Sequence, residues 1–239
     1  MNLKILSKCF LKTYFVNSLF NIKGLQNLGL FYAMDPALKF LYAGDKKALR
    51  KARLRYLKLY NSHPFWTPFL VGIFIHLEKL LANNKLHLET YSKLRPTIVY
   101  TLSAIGDSFF SGSLLPCWAL LSAIGLYLGW YWTTFFFVVI LFLGLQVFKL
   151  YTFFLGYTQG LQALQTLKKW NLINASQYLK VINTGLILIF VALNWPVQLP
   201  KVVAISYVFA IYGLVLIFRK YIGFREIFWV LFFICYLLC

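Results

Sequence analysis

The sequence predicts an all-α, polytopic membrane protein with amphipathic cytoplasmic-side helices at its N-terminus, re-entrant elements and about 4–5 hydrophobic spans. Three observations carry that reading. Hydrophobic residues make up 61% of the 239 and charged residues only 13%, against about 25% charged in soluble domains. The 24 basic and 6 acidic residues leave a formal charge of +18. Sixteen of the basic residues fall in positions 1–95 and eight in 96–239. Apolar runs of helical-span length fill the second half. The expected organisation is therefore a basic amphipathic region, 1–95, with a short re-entrant segment, and a hydrophobic membrane core, 96–239. Such a basic excess beside hydrocarbon-length segments suits the positive-inside rule and anionic lipid headgroups, so the bilayer and not a nucleic acid is the expected partner.

Each element has its own signal. From Lys12 to Tyr42 the apolar residues Phe15, Leu19, Leu25, Leu28, Phe31 and Tyr32 recur at helical spacing. Met34-Asp35-Pro36 is expected to break that helix, because the residue before proline is pushed away from helical geometry. Asp45 is placed to cap a strongly basic helix running to about Tyr60. Asn61-Ser62-His63-Pro64 carries turn chemistry, and the apolar stretch Phe65–Leu77 that follows is too short to span, hence the expected re-entrant or buried segment. Thr97–Phe148 has room for two spans, or one span and a hairpin around Asp107, with Gly129-Trp130-Tyr131-Trp132 as an interfacial aromatic cluster. Lys149 is expected to end the second span, with a polar helical connection from Gly156 to Lys180. Val181–Gln198, Val202–Phe218 and Phe224–Cys239 are further apolar candidates.

The chemistry is sparse. Cys9, Cys117, Cys235 and Cys239 form no CxxC pair, which suits small hydrophobes in a reducing compartment. No phosphate loop or dinucleotide fingerprint occurs, and His63, His76 and His87 lack metal-ligand spacing. No catalytic residue, metal or cofactor is expected. Asp107 stands apart, because between Arg95 and Lys149 there is no other charged residue. An ionised group in an apolar setting is costly, so it marks a functional site by default. Asn21, Gln26, Asn27, Asn61, Glu78, Asp107, Ser108 and Gln159 lie at breaks in apolar segments; amide and carboxylate groups so placed can hydrogen-bond neutral polyols.

The same residues carry a resemblance. Gln26-Asn27-Leu28-Gly29-Leu30-Phe31-Tyr32-Ala33-Met34-Asp35-Pro36, Asn61-Ser62-His63-Pro64 followed by Gly72 and Glu78, Gly106-Asp107-Ser108-Phe109-Phe110-Ser111-Gly112-Ser113-Leu114-Leu115-Pro116, and Gly156-Tyr157-Thr158-Gln159-Gly160 stand in order over roughly residues 10–195. Together they resemble the enzyme IID membrane subunit of the mannose/fructose/sorbose type of sugar phosphotransferase system. The resemblance implies a multi-pass subunit of a bacterial inner (plasma) membrane, with the basic N-terminal half cytoplasmic. It implies a IIC membrane partner, soluble IIA and IIB components that carry the phosphoryl group, a hexose-like sugar, and a higher oligomer of IIC–IID pairs. No phosphorylated residue is expected in the chain itself. Asp107, Ser108 and Gly106 are the expected translocation-loop or sugar-facing residues, with Gln26, Asn61, Glu78 and Gln159 as further contacts. One departure is chemical: the small, flexible run that precedes the aspartate in the family is here Thr97-Ile98-Val99-Tyr100-Thr101-Leu102-Ser103-Ala104, which is stiffer. A IID-like protein with a regulatory or assembly role and no transport is the alternative.

Overall fold

Helix α4 (Thr67–Ala82) is apolar around its circumference, and such a helix belongs in a core. Its residues from Thr67 to Ile75, with Leu77 and Glu78, are all buried in the computed structural model, which describes residues 1–194 together with 206, 210 and 213. The other helices are α1 (Leu3–Thr13), α2 (Asn27–Leu41), α3 (Lys46–Tyr56), α5 (Leu88–Gly106), α6 (Leu115–Tyr127), α7 (Tyr131–Gln159), α8 (Ala163–Lys169) and α9 (Leu172–Leu193). No sheet occurs among the described residues, only isolated bridges that join Leu25 to Asn21 and Tyr60. The chain divides into two compact units, Met1–Ile182 and Asn183–Cys239, and α1–α8 with the first turns of α9 belong to the former.

The closest packing is between α4 and α7. A Cβ on Gly72 would collide with the Phe153 carbonyl oxygen, and one on Gly156 would lie 2.6 Å from the Phe69 carbonyl oxygen. Glycine on both sides lets the two backbones meet, the device that membrane helices use where apolar burial gives no drive to associate. A Cβ on Gly29 of α2 would likewise meet the Val16 backbone in the turn that follows α1.

Three turns differ from the sequence expectation. The pattern from Lys12 to Tyr42 is not one helix: α1 ends at Thr13, and a short 3₁₀ turn, Asn17–Leu19, leads to a loop closed by paired hydrogen bonds of 2.8 Å between Asn21 and Leu25. Leu25 holds a left-handed φ of 58° there, a strain the loop's hydrogen bonds offset. Pro36 does not break α2 but sits inside it, because Ala33, Met34, Ala37 and Leu38 on its core face are all fully buried. The basic helix capped by Asp45 ends at Tyr56, not Tyr60; the cap itself is as expected, with the Asp45 carboxylate accepting from the backbone N–H groups of Lys47 and Ala48.

Glu78 is the buried charge of α4, at 0% exposure, whereas its neighbour Lys79 is exposed. Arg55 donates to it with both Nη2 (2.7 Å) and Nε (3.2 Å). The hydroxyls of Tyr42 and Tyr56 donate at 2.8 and 3.0 Å, and Tyr91 meets Tyr56 at 2.7 Å. The carboxylate thus ties α2, α3 and α4 together, and Tyr91 adds α5. Burial and then the carboxylate push Tyr42 up to about 12, and the same causes push Tyr56 well above its ordinary value, so both stay protonated donors. Burial alone would lower the Arg55 pKa, but Glu78 outweighs it and raises it.

Among the described residues, two stretches, Leu88–Tyr127 and Tyr131–Leu193, are long and apolar enough to cross a membrane. Asp107 lies within the first as part of continuous helix, so of the two alternatives for Thr97–Phe148 the hairpin around Asp107 is not the one formed. Lys149 does not end the second, since α7 continues ten residues further to Gln159. Trp130, Tyr131 and Trp132 cluster at the turn between the two stretches, at 60%, 66% and 76% exposure, as an aromatic belt requires. The 95/96 boundary falls inside α5. Of the apolar candidates further on, Val181–Leu193 is the second half of α9, while Val202–Phe218 (apart from 206, 210 and 213) and Phe224–Cys239 lie outside the described residues.

Replacing Glu78 by Gln leaves the Arg55 guanidinium without its counter-ion in a buried site, which should cost about 3–5 kcal/mol. Unfolding of the purified chain in detergent reads this directly. A loss under about 1 kcal/mol, the scale of a solvated surface pair, would contradict the buried-pair account.

Candidate functional site

The turn before α4 is built to hold its shape. The Gln26 side chain brackets Ser62, with Nε2 donating to the Ser62 carbonyl at 3.1 Å and Oε1 accepting from the Ser62 N–H at 2.9 Å. The His63 carbonyl then accepts from Trp66 N–H at 2.9 Å as α4 begins. The His63 ring stacks on Phe110 at 5.2 Å and 18°, and Phe65 packs on the same ring at 4.8 Å. A side chain at Gly106 would strike His63 Cβ at 2.5 Å and Trp66 Cδ1 at 2.7 Å. That glycine is what lets the turn and the Asp107 helix touch.

Between α5 and α6 the helix widens into a π-helical segment, Asp107–Leu114. Such segments are rare and occur often at functional sites. The Ser108 carbonyl accepts hydroxyls from Ser113 at 2.8 Å and from Ser176 of α9 at 2.9 Å. Ser108 Oγ also meets Ser176 Oγ at 3.0 Å, with Lys180 Nζ donating to it at 3.4 Å. Serine hydroxyls that bond backbone carbonyls in this way re-satisfy a helix whose own ladder is disturbed.

A cavity of about 370 Å³ opens between the turn and the π segment, a size within the range of about 300–1,000 Å³ for ligand sites. Its polar lining is Asn61, Ser62, His63, Ser103, Asp107 and Ser111, with Pro64, Phe65 and Leu115 as apolar wall. The groups offered are one carboxylate, one amide, one imidazole and three serines. Phe65 N–H donates to His63 Nδ1 at 3.3 Å, so Nδ1 is the acceptor and the proton sits on Nε2, which donates to Ser111 Oγ at 2.9 Å. Burial lowers the His63 pKa from its ordinary value; Asp107 opposes this and Lys149 adds to it. This set offers both hydrogen-bond donors and acceptors beside an apolar wall. Among the described residues no group of His, Cys, Asp and Glu is placed to hold a metal ion.

Of the residues expected from the sequence, Asp107 and Asn61 are thus brought together. Gly106 lies behind the cavity as the contact point, and Gln26 supports the turn without lining the cavity. Ser108 points to Ser176. Glu78 is in the buried tyrosine–arginine network. Gln159 lies at the end of α7, where Thr166 donates to it at 3.4 Å. His63, Ser103 and Ser111 were not anticipated. The spacing of Ser103, Asp107 and Ser111 by fours on one helical face was a signal that could have found two of them.

Comparison with known proteins places these features in context. The sequence profile of the PTS system mannose/fructose/sorbose family IID component matches residues 1–209. The fructose permease IID component of Bacillus subtilis (strain 168) is 31% identical over 115 residues, 48% of this chain and 42% of that protein. The mannose-specific EIID component of Escherichia coli (strain K12) is 28% identical over 115 residues, 48% of this chain and 41% of its own length. The match therefore spans less than half the length of these curated relatives. A solved membrane-protein structure superposes with a TM-score of 0.73 at 20% identity, covering 98% of this chain and 94% of that one. A cryo-electron-microscopy structure of the mannose transporter ManYZ with microcin E492 superposes at 0.62 and 21% identity, with the same coverage.

The His63 shift fixes a pH dependence. Below about 6.5 the unfolded chain binds a proton that folded, buried His63 resists, so stability falls as the pH drops from there toward the lower folded value. Asp35 behaves separately: burial would raise it, but Lys39 and Arg53 hold it below its ordinary range, so its contribution is lost only at more acidic pH. Thermal unfolding in detergent from pH 8 to pH 5 should show the first step in wild type and not in His63→Gln. Identical curves would contradict a buried, neutral His63.

Proposed function

This chain belongs to the mannose/fructose/sorbose family of phosphotransferase-system IID components, and from that premise we propose that it forms, with a IIC membrane partner, the uptake pathway of a hexose-like sugar that a IIB component phosphorylates as it emerges. The observation that carries the reading is the cavity in which Asp107, Asn61 and His63 converge. A carboxylate accepts from sugar hydroxyls, an amide both donates and accepts, and aromatic faces such as Phe65 stack on the apolar side of a sugar ring. Asp107 orders the site or meets the sugar. It is not a catalyst, since phosphoryl transfer belongs to the soluble IIA and IIB components. The membrane orientation that goes with this reading is multi-pass, with basic residues 1–95 on the cytoplasmic side, and pairs of IIC and IID assemble into a higher oligomer.

One observation favours the alternative of a regulatory or assembly role without transport. Thr97–Ala104, where the family resemblance leads one to expect a small and flexible run, is regular helix within α5. A pathway that needs this stretch to flex would be slowed by it.

Co-purification with a IIC subunit, followed by uptake of labelled sugar with wild type and Asp107→Asn, separates the two. A charge-assisted hydrogen bond from a sugar hydroxyl predicts about a tenfold or greater loss for the variant. Unchanged uptake would remove Asp107 from the pathway, and failure to bind any IIC subunit would overturn the permease reading.

A further inference from the structure

A second cavity, of about 550 Å³, lies between α1 and α2: its polar lining is Lys8, Lys12, Lys39 and Asp35. Its apolar lining is Ile5, Leu11 and Pro36. The site just described does not use these residues, and nothing in the sugar reading requires them. Asp35 would repel an anion if it stood alone. However, Arg53 holds it at 2.7 Å and Lys39 at 2.9 Å. Arg53 shares the carboxylate with Lys39 from outside the lining, so four cations (Lys8, Lys12, Lys39 and Arg53) stand against one carboxylate, and Lys8 and Lys12 have no ion-pair partner among the described residues. Lys12 is held in place by the Tyr32 ring, 3.8 Å beneath its ammonium.

The apolar part decides what kind of anion fits. Leu11 is 59% exposed, and Leu3, Tyr14 and Phe15 on the same helix and its continuation are exposed too. A short helix with lysines beside exposed leucine and aromatic side chains lies at the bilayer interface. A free phosphate needs the ammonium groups but leaves Ile5 and Leu11 in water. An amphiphile with a phosphodiester headgroup satisfies both. From this charge complementarity joined to apolar lining, we infer that the α1–α2 groove is a binding site for one anionic phospholipid, with its phosphate among Lys8, Lys12 and Lys39 and its acyl chains along Ile5 and Leu11. The lipid pins the N-terminal helices to the membrane surface beside the core. This site does not depend on whether the chain transports a sugar.

The test uses the full chain purified in detergent, with phosphatidylglycerol, phosphatidylcholine and inorganic phosphate as separate probes, read by native mass spectrometry and by the shift in unfolding temperature. Phosphatidylglycerol should be retained and should stabilise the chain, while phosphatidylcholine and inorganic phosphate should not. Each lysine near an anionic headgroup accounts for about fivefold in affinity. The triple variant Lys8→Gln, Lys12→Gln, Lys39→Gln should therefore lose retention by roughly a hundredfold. Replacing Lys46, Lys47 and Lys51 of α3 by Gln removes the same charge elsewhere and should leave retention unchanged. Because Lys39 and Lys12 also make internal contacts, Lys8→Glu alone serves as the variant least able to disturb folding, and it should weaken retention at least fivefold. Equal losses from both triple variants would mean diffuse attraction and overturn the site. Equal stabilisation by inorganic phosphate would reassign it to a free phosphate group, and displacement of the lipid by an acidic peptide would reassign it to a protein partner.

Discussion

Backbone amides and carbonyls have no water to turn to inside a bilayer, and the whole architecture follows from satisfying them. A polar site in hydrocarbon cannot be carried on an open loop facing lipid. Here the carboxylate is instead presented from an unbroken helical stretch, Leu88–Tyr127, that widens to π geometry for the eight residues Asp107–Leu114. Widening changes the direction in which successive side chains leave the axis. Asp107 and Ser111 turn to the cavity, while Ser108 and Ser113 turn to Ser176. The hydroxyls on that second side satisfy the Ser108 carbonyl and so hold the altered register in place.

The other wall of the cavity depends on α4. Its backbone meets α7 at Gly72 and Gly156, which fixes where it lies, and the Glu78–Arg55 pair with its tyrosines ties its far end to α2, α3 and α5. With both ends fixed, the turn at its N-terminus has little freedom. Gln26 then clamps Ser62 from α2, and His63 arrives against Phe110. Each wall has its own anchors, and the His63 contacts with Phe110 and Ser111 join them around the cavity that Asp107 and Asn61 both line.

Much of this was readable from residues. The isolation of Asp107 among apolar neighbours pointed to a cavity because a charge needs a polar or open setting whatever the fold, and the structure leaves it exposed at the cavity lining. Asp45 announced its helix because capping is a local interaction. What depended on distant contacts was not readable. Pro36 was expected to end a helix that burial of Ala33, Met34, Ala37 and Leu38 keeps intact. Glu78 looked like a ligand contact because the groups that bond it, Arg55, Tyr42 and Tyr56, lie 22 to 36 positions away in the chain. The π register could not be foreseen either, since it rests on Ser176, 68 residues beyond Ser108.

The central claim is that this register turns Asp107 toward the cavity by anchoring its neighbour to α9. A disulfide tests it directly: Ser108→Cys with Ser176→Cys, in a chain whose own cysteines are replaced, read as a mobility shift on mild oxidation in membranes. Hydroxyl oxygens 3.0 Å apart place the two sulfurs within bonding reach, so rapid and near-complete cross-linking is expected, with none for the control pair Ser103→Cys and Ser176→Cys. Cross-linking of the control pair, or none at 108–176, would mean that the helix runs in a different register and that Asp107 does not face the cavity.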